Sequence, residues 1–354
     1  MTKRIFLIGL LIASSFSCKK KVEEVQSDFN KTELLSNLTD NIIVPTYLSM
    51  EASIVELQTA WTTFTLTQNA SNLDDFKDKW LSSNLIFQKA KMFHFGPGLN
   101  HGLRAACGTF PTDTTKVLNL SAQTNPDVYV LANIDAIGYP AIEFLVYRPN
   151  ALSLLSGSPN QRQYITVLLD KMKDDLAIVI NDWTTSYAAQ FKQSTGTSST
   201  SGFSLLINAF NLEYELAKNA KLGIPIGNQS LGIAQPQYAE APYSGKSLLL
   251  LEENLKFIKA VFQGVNDAGS DGKSFADYLV SLNKQSLRDE ILNEINGALS
   301  DFDNLSDNLV VEIQNQPATL DALYTKLQNL VVHFKTDMTS AFGVLITYQD
   351  NDGD

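Results

Sequence analysis

Apolar residues recur every three or four positions along most of the chain, and this spacing predicts amphipathic helices. The pattern is most regular in residues 34–64, where it continues for about eight turns and where Pro45 predicts a kink. No region of the sequence shows the alternation of apolar and polar residues that is typical of a sheet. We therefore predict helices over residues 34–64, 73–93, 127–147, 160–191, 203–221, 245–263, 274–299 and 317–343.

A polar stretch of Ser, Thr and Gly at residues 194–202 divides these helices into two groups of four. Such a composition buries little apolar surface, so it predicts a linker or a long loop that does not order well by itself. With 354 residues and 44% hydrophobic content, the chain is long enough to bury two cores. The prediction is an all-α protein of two up-and-down helical bundles, an N-terminal one over residues 28–193 and a C-terminal one over residues 203–346.

The first residues carry the pattern of an exported protein. Lys3 and Arg4 precede an apolar run of about nine residues, which is too short to span a bilayer. Cys18 follows a cleavage site of small residues, as in a bacterial lipobox, so residues 1–17 are predicted to be a lipoprotein signal peptide. The alternative is an ordinary secreted protein in which this cysteine is incidental.

This prediction sets the expected location. Residues 18–27 would form a tether whose lipid on Cys18 holds the protein to a membrane, and residues 347–354 an acidic tail. We expect the protein in the cell envelope, anchored by its lipid to the outer membrane and facing the periplasm or the cell surface. The sequence does not indicate which face.

Charge and cysteine content narrow the set of partners. With 38 acidic and 27 basic residues, the chain has a formal net charge of −11, which argues against nucleic acid as a partner. The same balance is compatible with a cationic ligand. Cys107 is the one cysteine besides Cys18, so the fold is not expected to depend on disulfides.

Two stretches without helical spacing contain the candidate chemistry. The first is a Gly- and Pro-rich loop over residues 93–113, which contains His94, His101, Arg104 and Asp113. His94 and His101 lie seven residues apart, and this spacing does not define a metal site. Each is therefore expected to be structural or exposed to solvent, with a role as a ligand as the alternative. The pair Arg104 and Asp113 would form the two ends of a charged network.

The second stretch is the sequence from Gly138 to Glu143. Here Gly138 and Pro140 are predicted to interrupt a helix over residues 127–147, to free a backbone carbonyl and to leave the Glu143 carboxylate on the helix face. Asp135 lies about two turns earlier and is expected on the same face. Three carboxylates, Glu143, Asp135 and Asp113, with the Arg104 guanidinium would suit a hard cation. The alternative is a structural ion pair between Glu143 and Arg104 or a lysine.

The loop that ends in Arg104 and continues to Asp113, together with the run from Asp135 to Leu145, resembles the imelysin-like family over nearly all of the mature chain. The resemblance implies a two-domain helical fold, an envelope protein linked to iron acquisition and a historical peptidase label. The family motif is Gly-x-His-x-x-Glu. Gly138 and Glu143 match it, whereas Pro140 occupies the position of the histidine.

Pro140 weakens the peptidase interpretation, because a proline side chain cannot coordinate a metal or carry a proton. We predict a non-enzymatic envelope lipoprotein that binds iron, another divalent or trivalent metal or another ligand between its two bundles, or that assists uptake. Two alternatives remain. One is a metal-dependent peptidase or other hydrolase, which needs a base beside a metal-bound water or a nucleophile. The other is a scaffold partner of an outer-membrane transporter without a small ligand.

Overall fold

The structure, a computed structural model, describes residues 28–348. The predicted signal peptide, Cys18, the tether and most of the acidic tail lie outside this range. Within it the chain forms helices and no β-strand, apart from one isolated bridge between Val265 and Asp271. The prediction of an all-α helical-bundle protein is therefore confirmed. No helix among these residues has both the length and the apolar character needed to cross a membrane.

The first long helix, residues 31–66, shows the predicted disruption near Pro45. It begins as Lys31–Asn37 with Asn30 as N-cap, passes through the π-helical stretch Leu38–Ile43 and continues as Val44–Leu66. Proline has no backbone N–H, so Pro45 cannot donate the hydrogen bond that an α-helical residue normally makes. The change in hydrogen bonding occurs in the π-helical stretch, which ends at Ile43 just before Val44 and Pro45.

The other long helices follow the apolar spacing, except that residues 127–147 do not form a single helix, and two more predictions differ in extent. The helix expected over residues 73–93 begins three residues earlier, where the Asn69 side chain accepts from the backbone N–H of Asn72. The one expected over residues 274–299 is two helices, because Asn283 has a left-handed backbone (φ 59°) between them.

In the first half, the helices after the first are Ala70–Ala90, Gly96–Asn100, Leu103–Gly108, Thr114–Ser121, Gly138–Tyr147, Ala151–Gly157 and the long helix of residues 159–193, made of Pro159–Asp182, Trp183–Tyr187 and Ala188–Gln193. In the second half, the long helix of residues 202–226 (Gly202–Leu216, Ala217–Gly223 and Ile224–Ile226) precedes Ser247–Gln263, Phe275–Ser281, Gln285–Leu299, Leu309–Asn315 and the helix of residues 317–342 (Pro317–Val331, Val332–Met338 and Thr339–Phe342).

The long helices pack side by side, and their buried faces form a core that continues from one half into the other. Val44–Leu66 packs against Ala70–Ala90 and Pro159–Asp182 in the first half. Ser247–Gln263 of the second half packs on the same helix Ala70–Ala90. The helix Ala70–Ala90 is therefore shared by both halves and holds them together.

The Ser- and Thr-rich stretch 194–202 connects the two long helices of residues 159–193 and 202–226. Its ends are closed by two hydrogen bonds to Ser194, from Gly202 N to Ser194 Oγ (2.7 Å) and from Phe203 N to the Ser194 carbonyl (2.9 Å). These bonds bring the two ends of the stretch together as a loop.

Candidate functional site

The helix Gly138–Tyr147, here called the motif helix, begins at Gly138 and is not interrupted there. Residues Leu131–Ala136 form a 3₁₀ helix and Ile137 is extended, so the prediction of one kinked helix over residues 127–147 is wrong. Gly138 has φ 74°, and a Cβ at this position would overlap the backbone carbonyl of Cys107. Pro140 lies in the first turn, where no backbone N–H is needed. The freed carbonyl that we expected from Pro140 is therefore not produced.

This break separates Asp135 from the face that carries Glu143. Asp135 pairs with Lys116 (Nζ to Oδ1, 2.6 Å) and its carbonyl accepts from the backbone N–H of Asp113 (2.8 Å). The Asp113 side chain caps Thr114–Ser121 by accepting from Lys116 N at 2.9 Å. The two carboxylates thus stabilise a local junction at the start of that short helix. The expectation that Asp135 shares a helix face with Glu143 is wrong.

Glu143 is almost completely buried, with 1% of its surface exposed. Its Oε1 accepts from the backbone N–H of Ser244 at 2.6 Å. Burial raises the pKa of Glu143 to about 7, the nearby Glu240 adds to the rise, and the hydrogen bonds from Ser244 and Tyr243 oppose it. No lysine, arginine or histidine lies within ion-pair distance of Glu143 among residues 28–348, so the predicted pair with Arg104 or a lysine does not form.

The Glu143 carboxylate lies at a narrow cleft between the motif helix and the segment of residues 237–244 from the second half. We call this cleft, whose volume is about 30 Å³, the Glu143 cleft. A cleft of this volume has room for about two water molecules. Its first-half wall contains Phe110, Pro111, Thr112 and Pro140, and its second-half wall Gln237, Ala239, Ala241, Pro242 and Tyr243.

Arg104 binds a different carboxylate, Glu213 of the helix of residues 202–226. The distance from Arg104 Nη2 to Glu213 Oε2 is 2.5 Å, and the same guanidinium donates twice to the carbonyl of Lys91. Glu213 is 1% exposed, so this buried charge pair joins the short helix Leu103–Gly108, in the stretch that we predicted to be a loop, to the second half.

A network of buried charges continues from Glu213 toward the Glu143 cleft. Lys91 Nζ lies 3.8 Å from Glu213 Oε1 and 3.5 Å from Glu240 Oε1. Lys221 Nζ lies 2.9 Å from Glu240 Oε2 and donates to Gln88 Oε1 at 2.5 Å. Burial opposes ionisation of Glu240, but Lys221 and Lys91 more than offset it and hold its pKa at about 2. Burial lowers the pKa of Lys221 to about 7.

Sequence reasoning missed Glu213, Glu240 and Lys221. A signal was present for two of them, because Glu213 and Lys221 fall at helical spacing with the apolar residues Phe210 and Ala217 and so lie on the buried face. Charges on such a face predict buried ion pairs. Glu240 lies outside any helix, and the sequence offered no comparable signal for it.

The two loop histidines do not join Glu143. The Nδ1 atom of His94 is buried without a hydrogen-bond partner, and burial together with the nearby Arg104 lowers the pKa of His94 to about 4. His101 Nε2 lies 2.8 Å from Asp182 Oδ2 at the surface. The predicted residues thus fall in four separate places, and in the part of the chain that the structure describes no three His, Cys, Asp or Glu side chains converge as metal ligands.

The chain is similar to known proteins over most of its length. The family model described as Imelysin matches residues 43–333. The crystal structure of an imelysin-like protein from Psychrobacter arcticum superposes with a TM-score of 0.71 at 17% identity, covering 91% of this chain and 99% of the other. A structure of a putative iron-regulated protein A precursor from Parabacteroides distasonis gives 0.68 at 17% identity, covering 86% and 95%.

A curated relative matches over a shorter region. It is named iron-regulated protein A, from Synechococcus elongatus, and is 24% identical over 152 residues. The match spans 43% of this chain and 40% of that relative.

Proposed function

Since the chain belongs to the imelysin family, we propose that it is a non-catalytic envelope protein of iron acquisition that takes up an iron ion at the Glu143 cleft. A relative named iron-regulated protein A supports the link to iron, and a structure with the same fold is described as a putative iron-regulated protein A precursor. The expected lipoprotein signal peptide supports an anchored position in the envelope. In this proposal the iron ion is cargo, which the protein binds and passes on.

The buried carboxylate of Glu143, which has no cationic neighbour among the described residues, carries the proposal. Burial without a counterion raises the pKa of Glu143 to about 7, and a small bound cation would replace the proton and stabilise the ionised carboxylate. Its oxygens are hard ligands of the kind that suit iron. The cleft of about 30 Å³ has room for an ion and is too small to enclose a large peptide side chain. Both the size and the donor therefore favour a small cation over a peptide substrate.

Pro140 also favours binding over hydrolysis. It lines the Glu143 cleft at the position where the family motif has histidine, and it offers neither a ligand nor a base. Hydrolysis would need a base together with a group that activates water or a nucleophile; Glu143 could be the base, but Pro140 provides no second group beside it.

Isothermal titration of the protein with ferrous iron, ferric citrate, zinc and calcium tests this proposal. We expect heat with iron in the unaltered protein and none in Glu143→Gln, which keeps an acceptor for the Ser244 N–H. The matched control is Glu312→Gln, because Glu312 is also buried and accepts from a serine, through Ser306 N (3.2 Å) and Oγ (2.6 Å). Iron heat that persists in Glu143→Gln, or no iron heat at all, contradicts the proposal.

A further inference from the structure

The loop of residues 227–238, here called the apolar loop, leads from the end of the helix of residues 202–226 back to the Glu143 cleft. It presents large apolar side chains to solvent, since Leu231 is 100% exposed and Ile233 63% exposed. Tyr238, at the far end of the loop, is 41% exposed. Single exposed apolar residues are common on protein surfaces. Here two of them, Leu231 and Ile233, are separated only by Gly232 at the tip of one loop, so together they form a small exposed apolar patch.

The tip holds this shape through its own hydrogen bonds. Gly232 N donates to the Gly227 carbonyl (2.9 Å), Ile233 N to the Ser230 carbonyl (3.0 Å) and Gln235 N to the Pro225 carbonyl (2.8 Å). Leu231 itself has a left-handed backbone with φ 56°. That conformation is unfavourable for leucine, and the exposed side chain gains no packing that would offset it. The fold therefore keeps Leu231 directed outward at a cost.

The loop is also free of charge in a strongly acidic protein. Residues 222–239 contain no Asp, Glu, Lys or Arg, whereas the chain has a formal net charge of −11. At the base of the loop, Asn228 donates to the Asp321 carboxylate (3.2 Å) and Gln229 to the Tyr324 hydroxyl (2.6 Å). Acidic regions of the surface are repelled by anionic headgroups, but this loop can approach a lipid surface without that electrostatic penalty.

We infer that the apolar loop is a peripheral contact with the surface of a phospholipid bilayer, in which Leu231 and Ile233 enter the interfacial region. A bilayer needs no shape complementarity, so a narrow tip suffices. A specific protein partner would instead need a surface of about 800 Å² and 20 to 30 residues on each side. Tyrosine is enriched at the level of the headgroups, which suits Tyr238 behind the tip. The inference does not depend on the proposed iron site.

Flotation with phosphatidylcholine vesicles tests the inference. The protein is the expected processed form from residue 18 with Cys18→Ser, so that no lipid is attached. The test variant carries Leu231→Ser and Ile233→Ser. The control variant carries Leu66→Ser and Leu345→Ser. These two leucines lie elsewhere on the surface and are 80% and 78% exposed, so their average exposure is similar to that of Leu231 and Ile233. Helical circular dichroism should be the same for all three proteins.

We expect the unaltered protein and the control variant to float with vesicles, and the partition coefficient of the test variant to fall by at least about tenfold. Three results would overturn the inference: no flotation of the unaltered protein, equal flotation of the test variant, or an equal loss in both variants. As a second readout, Trp placed at Leu231 should be quenched by brominated lipid, whereas Trp placed at Leu66 should not.

Discussion

At the residue scale, Pro140 and Glu143 lie three positions apart on the motif helix and both line the Glu143 cleft. Residues at this spacing are neighbours on a helix surface, so a histidine at position 140 would stand beside the carboxylate. With proline in place of the motif histidine, the cleft lacks an imidazole that could bind a metal, whereas it keeps the Glu143 carboxylate.

Restoring the motif histidine should strengthen metal binding. In Pro140→His an imidazole would add a second ligand next to Glu143, and we expect affinity for zinc or ferrous iron to rise by at least about tenfold. Calorimetric titration measures this change. The gain should vanish in the double variant Pro140→His with Glu143→Gln, and a gain that survives there would show that the two side chains do not act together.

Gly138 is the residue that allows the motif helix to start so close to the chain near Cys107. Because alanine at this position would be strained at φ 74° and would overlap the Cys107 carbonyl, we expect Gly138→Ala to lower the free energy of unfolding by about 2 to 4 kcal/mol. Gly297→Ala is the matched control. It has open space around its Cβ and lies inside a helix, so it should stabilise by about 0.5 to 1 kcal/mol in urea denaturation. Equal effects would contradict the steric argument.

The sequence identified Gly138 and Glu143 as motif residues of a candidate site, but it did not indicate which distant residues they contact. Glu143 meets Ser244, 101 positions away, and Arg104 meets Glu213, 109 positions away. Spacing along a chain reports neighbours on one helix and contains no information about such distant contacts. The grouping of Asp113 and Asp135 with Glu143 failed for a local reason, because the chain breaks before Gly138 and Asp113 caps another helix.

At the scale of elements, the buried network ties three separate segments together. Gln88 belongs to Ala70–Ala90, Lys221 to the helix of residues 202–226, and Glu240 to the segment that forms one wall of the Glu143 cleft. A buried charge that loses its partner is destabilising, whereas an intact pair contributes little beyond an apolar substitute. The position of the cleft wall therefore depends on charge matching at Glu240.

Removal of one charge from this network should destabilise the protein strongly. We expect Lys221→Met to cost about 3 to 5 kcal/mol of unfolding free energy, because Glu240 would then remain buried with Lys91 as its remaining cation. Adding Glu240→Gln should recover part of that loss. As a control, Lys192→Met breaks the exposed pair with Asp40 and should cost less than about 1 kcal/mol. A small effect of Lys221→Met would contradict the role given to the network.

The periodicity predicted most helices, and its failures have local causes. The stretch of residues 127–147 has helical spacing of apolar residues, but the left-handed Gly138 starts a new helix there. Residues 274–299 keep the spacing across Asn283, whose left-handed backbone ends one helix before the next begins. Apolar spacing reports which faces are buried, and it does not report where the backbone changes direction.

At the scale of the whole molecule, Glu240 links stability to pH. The pKa of Glu240 is about 2 in the folded protein, below its usual value of 4.5, so its contribution to stability is present above pH 4.5 and is lost as the pH falls toward 2. We expect the stability difference between the protein and Glu240→Gln to be largest near pH 5, where Lys221 is charged, and to shrink by about 3 kcal/mol toward pH 2. Urea denaturation at several pH values checks this. A difference independent of pH would contradict it.

The sequence predicted an all-helical protein with two groups of long helices, because amphipathic spacing and overall composition report these features directly. It did not predict that the core would continue between the groups through Ala70–Ala90 and Ser247–Gln263. Buried polar residues on these helices, Gln88 and Asn254, are hydrogen-bonded across the junction (Asn254 Nδ2 to the Gln88 carbonyl, 3.1 Å). A polar residue on an apolar face gives no indication of which distant helix will satisfy it.

The bond between Glu143 and Ser244 also bears on how this family can diversify. Glu143 holds the cleft wall through a backbone amide, which every residue except proline provides. Side chains in the wall other than Glu240 can therefore change while the wall keeps its place. One carboxylate would anchor a surface that can vary, so, if the proposed site binds a ligand, substitutions at Gln237, Ala239, Ala241 or Tyr243 would change its preference without moving the wall.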